Sequence, residues 1–390
     1  RACILTGKYT HANGFPDNQR GRQFDGSQLT FPKLLQAAGY ETAIFGKWHL
    51  GSDPTGFDRW EIIQGVAKYF DPSFRNTAGT YETKGYSTDT IFNLAEKFLN
   101  DRDRAKPFFL MITPNAPHRN WTTDEKHAAM FTDREVPVPP TFDDDLATRT
   151  RAAHEARLAV ADLRKTDVKL DPPPSLTEQQ LKHWKYQLFI KDYLRTVAAM
   201  DDRIGQLLDH LNQSGLAANT LVIYTSDNGF FLGEHGWFDK RFMYEPSLRV
   251  PLVMSYPGVI PARSTPDAMA LNIDLAPTIL DFAGVAVPPE IHGQSLRPIL
   301  TGESAPTRDS IYYHYYEQEA EHNVAPHYGV RTRTHKLIHF YTHNQWELYD
   351  LANDPDELRN LYDDPKQTLV RQQLVERLEQ WRRELADDTP

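Results

Sequence analysis

Residues 30–51 read Thr30-Phe31-Pro32-Lys33-Leu34-Leu35-Gln36-Ala37-Ala38-Gly39-Tyr40-Glu41-Thr42-Ala43-Ile44-Phe45-Gly46-Lys47-Trp48-His49-Leu50-Gly51. Pro32 near the start and Gly39 beyond the end frame a helix over 30–38. Proline has no N–H to lose in a first helical turn, and glycine accepts the left-handed backbone that ends a helix. Residues 42–45 then form a short apolar, β-prone run that stops in a polar loop at Gly46. The same alternation continues: a helix over 87–100 leads to a strand over 108–112. A long helical stretch over 176–211 leads to a strand over 220–224, and another strand follows at 250–254. Helices that hand on to short buried strands predict an α/β domain with a mainly parallel central sheet flanked by helices.

Past a helix-like stretch at 273–283, the character changes between Gly302 and Arg308. Aromatic, β-prone runs at 311–316, 328–331, 336–341 and 346–351 follow one another with turns between them, which predicts a small antiparallel sheet. Leu374, Leu378, Trp381 and Leu385 recur at helical spacing and predict a closing helix packed on that sheet. The reading is an α/β domain over 1–304 and a smaller α+β subdomain over 305–390. The proline-rich stretches 136–140 and 172–174 frame a charged surface insertion, and there is no internal repeat.

At 390 residues the chain is long enough for one large core and a smaller partner. Its 43 Lys plus Arg against 53 Asp plus Glu give a net charge of −10, which opposes nucleic acid and anionic membrane surfaces. An anionic substrate must therefore meet a local basic pocket. No stretch reaches the length of a membrane span. The single cysteine, Cys3, excludes an intrachain disulfide and a Cys-rich metal cluster, and it reads as a small packed residue.

Ligands in open parallel sheets bind outside the carboxyl ends of the strands. Three polar clusters fall at such ends: 46–51 carries Lys47 and His49, 113–118 ends in His118, and 225–229 contains Asp227 and Asn228. Taken singly, each has a plain alternative. Asp227-Asn228-Gly229 is also a tight-turn sequence, Lys47 and His49 also suit a solvated loop, and Lys240 in 233–241 also suits a charged turn. Taken together, the three loops point into one crevice.

Their order also follows Arg1-Ala2-Cys3-Ile4-Leu5-Thr6-Gly7, which looks like the back half of the sulfatase signature Cys-x-Pro-Ser-Arg-Ala-x-x-x-Thr-Gly. The whole chain resembles the formylglycine-dependent sulfatases of the alkaline phosphatase superfamily. Gly46 to Gly51, the Pro-His of His118, Ser226 to Gly229 and Asp239-Lys240 match that family's motifs. The resemblance implies an alkaline phosphatase-like fold and one divalent cation, Ca²⁺, with Asp227 and Asn228 among its ligands. It implies a formylglycine nucleophile made from a Cys or Ser four residues before Arg1, and two further acidic metal ligands that would also precede Arg1. A chain of residues 1–390 alone is then expected to be inactive. Arg1 would anchor the nucleophile, while Lys47 and Lys240 would bind sulfate oxygens. His118 would protonate the leaving oxygen and His49 would act as base. These types suit the reaction, because a sulfate monoester needs charge stabilisation on its oxygens and proton transfer near working pH.

Residues 237–245, 327–332 and 336–341 are similar to the N-acetylglucosamine-6-sulfatase branch. By that similarity Asp239, Arg241 and His327 are the residues that hold the sugar, and the substrate is a 6-O-sulfated N-acetylglucosamine of glycosaminoglycans or mucin glycans. Carboxylate plus guanidinium suits neighbouring hydroxyls, since one accepts and the other donates; His327 also reads as a surface histidine of an aromatic sheet. The resemblance further implies a formylglycine-generating or anaerobic maturase as partner and an extracytoplasmic location. The alternatives are a phosphonate or phosphodiester hydrolase of the same superfamily and a non-catalytic glycan-binding relative.

Overall fold

The structure is a computed structural model that describes residues 1–390 apart from 20, 66–67, 304–306, 318–320 and 390. The expected boundary at 304/305 lies outside the described residues. Helices α1 (Ala2–Thr6) and α2 (Phe31–Ala37) precede β1 (Glu41–Gly46). The chain continues through β2 (Arg59–Ile63), β3 (Ser73–Asn76), β4 (Gly79–Glu82), α3 (Ser87–Asp101) and β5 (Phe108–Thr113). These five strands form one sheet in the order β4-β3-β2-β1-β5. β1 is parallel to β2 and β5, whereas β3 and β4 run antiparallel. The centre of the sheet is parallel, as expected, and its β3–β4 edge is antiparallel. Asn76 pairs with Gly79 across a tight turn, and a hairpin of this kind returns the chain antiparallel, whereas a parallel partner needs a crossover.

Helix α4 (Glu178–Gln213) begins at a capping box: Thr177 accepts from Gln180 N at 3.2 Å, and Gln180 accepts from Thr177 N at 2.9 Å. It leads to β6 (Val222–Thr225), the short hairpin β7 (Phe231–Leu232) and β8 (Phe238–Asp239), and β9 (Leu252–Ser255). β6 and β9 pair antiparallel as a two-stranded sheet of their own among the described residues. Helix α5 (Leu275–Phe282) follows.

β1 is buried on both faces, as its apolar run requires. Ile44 packs with Leu5, Phe31, Leu35 and Leu280 on one side, and Ala43 and Phe45 pack with Ile91, Ala95 and Phe98 of α3 on the other. Gly46 ends the strand at φ +114°, where a Cβ would lie 2.2 Å from Thr113 O. That close approach lets Lys47 N donate to the same carbonyl at 2.7 Å and turns the chain toward the crevice.

Beyond 306 the chain forms a four-stranded antiparallel sheet, β10 (Ser310–Tyr315), β11 (His327–Thr332), β12 (His335–Phe340) and β13 (Gln345–Asp350), and closes with α6 (Thr368–Leu385). One face carries Tyr312, Val330, Leu337 and Leu348 against Leu374 and Leu378 of α6, as expected. Ile338, Phe340 and Tyr349 instead pack on Phe231, Trp237, Phe242, Met243 and Tyr244, so the sheet supports the loop that carries Lys240. Fully buried Lys336 adds a polar tie, 2.9 Å from Glu245 and 2.6 Å from Glu357.

Candidate active site

Each loop at a strand end presents its chemistry by alternation with buried anchors. After β1, Trp48 and Leu50 enter the core and leave Lys47 and His49 on the crevice side, with His49 at φ 56°. After β6, Asn228 Nδ2 donates to Gly229 O at 2.7 Å, which turns its Oδ1 away from that carbonyl. Arg1 stands at the start of α1, which ends in left-handed Gly7, and its guanidinium lies 2.9 Å from Asp227 Oδ2. Cys3 is half-buried, with its Sγ 3.3 Å from Thr10 Oγ1 and accepting from Asn13 Nδ2 at 3.4 Å.

The electrostatics show that these loops share one site. Burial lowers Lys47 to about 8, and the positive charges of Arg1 and Lys240 add to the fall. His49 reaches solvent, yet desolvation by its neighbours and then Lys47, Arg1 and Lys240 bring it to about 4. Burial, Lys47 and Lys240 hold His118 at about 4 as well. Burial alone would raise Asp227, but Arg1, Lys240 and Lys47 outweigh it and leave the carboxylate at about 2. Burial likewise lowers Lys240, against the pull of Asp239, and its Nζ sits 5.8 Å from the centre of the Phe230 ring. Arg1, Lys47, His49, His118, Asp227 and Lys240 thus lie close enough to shift one another's charge, with Arg1 paired to Asp227 and Asn228 next to Asp227 in the chain.

Asp239 and Arg241 bracket Lys240, both with positive φ, and are bonded to each other through Oδ1 and Nη1. Burial would raise Asp239, but Lys240, His322 and Arg241 hold it well below the usual carboxylate range. His327 is placed differently. It is completely buried behind Arg241 among Phe242, Tyr313, Tyr315 and Phe340, and its Nδ1 donates to Ala325 O at 2.8 Å. Burial keeps it neutral, at about 3, and Tyr313 donates from its hydroxyl to Arg241 O at 3.1 Å in the same layer.

Sequence reasoning missed His322, whose Nε2 lies 3.4 Å from Asp239 Oδ2 and 3.3 Å from Arg119 Nη1. Arg119 in turn makes a bidentate pair with buried Asp167, at 3.1 and 2.5 Å. Arg119 follows His118 directly and was within reach of the motif; His322 precedes β11 in a stretch with no periodic signal.

Calcium binding requires six to eight oxygen ligands. Asp227 and Asn228 offer two hard oxygen donors beside compensating cations, which fits one side of such a shell. Among the described residues no group of three or more His, Cys, Asp or Glu is arranged to hold a metal.

Residues 1–285 match the family described as Sulfatase, and residues 233–384 match N-sulphoglucosamine sulphohydrolase, C-terminal. The chain belongs to the sulfatase family. Within it, the chain is 43% identical to the N-acetylglucosamine-6-O-sulfatase of Bacteroides thetaiotaomicron, over 100% of this chain and 78% of the relative. It is 30% identical to the N-acetylglucosamine-6-sulfatases of Bos taurus and Homo sapiens over 78% of this chain, and that match spans only 55% and 56% of those proteins. A sulfatase structure solved in complex with its substrate D-glucosamine-2-N,6-O-disulfate superposes with a TM-score of 0.96 at 43% identity, covering 100% of this chain and 88% of that one. The phosphonate monoester hydrolase of Silicibacter pomeroyi superposes at 0.80 with 22% identity, over 100% of this chain and 86% of its own, a likeness of fold. The second match starts at 233, ahead of Lys240, so the Lys240 loop and the C-terminal sheet fall within one matched unit.

Proposed function

We propose that this chain is the body of an enzyme that removes sulfate from the 6-O position of N-acetylglucosamine units in glycosaminoglycans or mucin glycans. It would do so with a catalytic domain over 1–304 and a C-terminal subdomain over 305–390. The observation that carries the reading is the convergence of Arg1, Lys47 and Lys240 on Asp227, with the Asp239–Arg241 pair flanking Lys240. The 43% identical bacterial relative supports the sugar and the position.

Net hydrolysis transfers the sulfuryl group to water and returns a proton to the sugar oxygen. Lys47 and Lys240 bind the non-bridging oxygens, where negative charge grows as the ester bond breaks, and partial desolvation strengthens their hold. His118 is neutral in their field when the pocket is empty. An arriving sulfate offsets that field, favours the imidazolium and prepares His118 to protonate the bridging oxygen. His49, held low by the same cations, stays a free base at neutral pH and accepts a proton at its ring nitrogen. Asp239 accepts from, and Arg241 donates to, neighbouring sugar hydroxyls. His322 sets the orientation of Asp239, and His327 packs behind Arg241 as a proposed support of the sugar pocket. Asp227 and Asn228 would hold Ca²⁺, which when bound supplies charge neutralisation at a sulfate oxygen, while a formylglycine supplies the nucleophilic hydroxyl. That modification calls for a maturase partner, and the family's glycan substrates suit an extracytoplasmic location; among the described residues no helix is long and apolar enough to cross a membrane.

The test is Lys240→Ala in the enzyme that carries its formylglycine. Turnover of 6-O-sulfated N-acetylglucosamine is expected to fall by about a hundredfold or more, the usual loss when a transition-state charge contact is removed. Near-normal turnover would refute the assignment of Lys240.

A further inference from the structure

His118 sits in a connection with no regular backbone ladder: residues 114–122 belong to neither strand nor helix. Its position is therefore fixed by individual contacts. His118 N donates to Asn115 O at 2.9 Å, and its Nδ1 donates to the carbonyl of Arg119 at 2.9 Å, which leaves Nε2 as the nitrogen for proton transfer. Trp121, completely buried, ties the loop to itself by donating to Pro117 O at 2.9 Å.

Two tyrosine hydroxyls reach the loop from the segment between β2 and α3. Tyr86 donates to Thr122 O at 3.1 Å, and Tyr69 donates to the carbonyl of His118 itself at 2.5 Å. Among the described residues, that carbonyl also accepts a long hydrogen bond of 3.4 Å from Trp121 N. Tyr69 is 4% exposed, packed with Tyr86, Ala116 and Ala199 of α4, so its ring has little freedom and its hydroxyl is a fixed point.

We propose that Tyr69 is a positioning residue for His118, its hydroxyl holding the His118 carbonyl so that the imidazole meets the leaving oxygen of the ester. The inference rests on the reading of His118 as the acid. Proton transfer tolerates little misplacement, and the donor and the oxygen must be within about 3 Å of each other. Tyr69→Phe removes one oxygen, keeps the ring packing and leaves the His118 carbonyl free to drift.

The test compares two leaving groups in the formylglycine-bearing enzyme. A sugar alkoxide needs protonation as it departs, whereas nitrophenolate leaves without it. For Tyr69→Phe, kcat on 6-O-sulfated N-acetylglucosamine is expected to fall about tenfold or more, with kcat on nitrophenyl sulfate within about twofold of wild type. Tyr86→Phe, which leaves the His118 carbonyl contact intact, is expected to show no such selectivity. Placing 4-aminophenylalanine at 69 restores a donor and should restore the ratio of the two rates; it also provides a folded comparison if Tyr69→Phe does not fold. Equal losses on both substrates, no loss on either, or no rescue by the amino variant would overturn the role of Tyr69. His118→Ala run in parallel separates the two levels. If it shows no selective loss on the sugar, the acid assignment fails and Tyr69 falls with it; if it does and Tyr69→Phe does not, only Tyr69 is rejected.

Discussion

Lys47 titrates at about 8 because burial and two neighbouring cations disfavour its ammonium. Below that pH it carries the charge that its proposed role in binding sulfate needs; above it the charge is lost, so kcat/KM is expected to decline as pH rises through about 8. Lys47→Arg keeps its charge across this range, so the decline should disappear even if the forked guanidinium fits less well and lowers the plateau. A pH profile of kcat/KM on both proteins checks this, and an unchanged alkaline decline in the variant would assign it to another group. Lys47, His49, Asp227, Asn228 and Lys240 were legible in the sequence because each lies within a short motif beside a strand end or a turn. Tyr69 and His322 were not, because their decisive contacts join positions 49 and 203 residues apart, which no local pattern encodes.

The C-terminal sheet and the Lys240 loop meet through the apolar side chains around Tyr244 and through the ion cluster of Lys336, Glu245 and Glu357, with Arg331 3.0 Å from Glu245. Lys336→Met would leave two carboxylates short of their buried partner and is expected to cost about 3–5 kcal/mol. A denaturant or thermal scan reads this as a clear fall in the midpoint, whereas an unchanged midpoint would show that apolar packing alone makes the tie. At this scale the sequence was most legible where periodicity was strong. The four C-terminal strands were expected within about one residue of where they lie, and Leu374, Leu378, Trp381 and Leu385, from which the closing helix was expected, all lie on α6, because aromatic alternation and leucine spacing are direct records of burial. The β3–β4 hairpin escaped notice because its four-residue strands, Ser73–Asn76 and Gly79–Glu82, carry little apolar pattern. The antiparallel pairing of β6 with β9 escaped for another reason: a strand's composition does not state its direction.

For the molecule as a whole, a net charge of −10 surrounds a pocket built from Arg1, Lys47 and Lys240, so affinity for a sulfated sugar depends on that local field rather than on overall attraction. The mixed sheet delivers the loops of β1 and β5 to one side, β6 of the two-stranded sheet adds its own loop there, and the C-terminal sheet packs behind the segment that carries the Asp239–Arg241 pair. On the proposed roles, cations that take any sulfate are thereby joined to a carboxylate and a guanidinium that select the sugar. The direct test of that union is sulfate release by the formylglycine-bearing enzyme from N-acetylglucosamine sulfated at the 6-, 4- or 3-oxygen, with a phosphonate monoester alongside. The account predicts that the 6-O-sulfate is hydrolysed with the highest kcat/KM of the set. Release from the other sulfated sugars without release from the 6-O-sulfate, or a preference for the phosphonate, would contradict it.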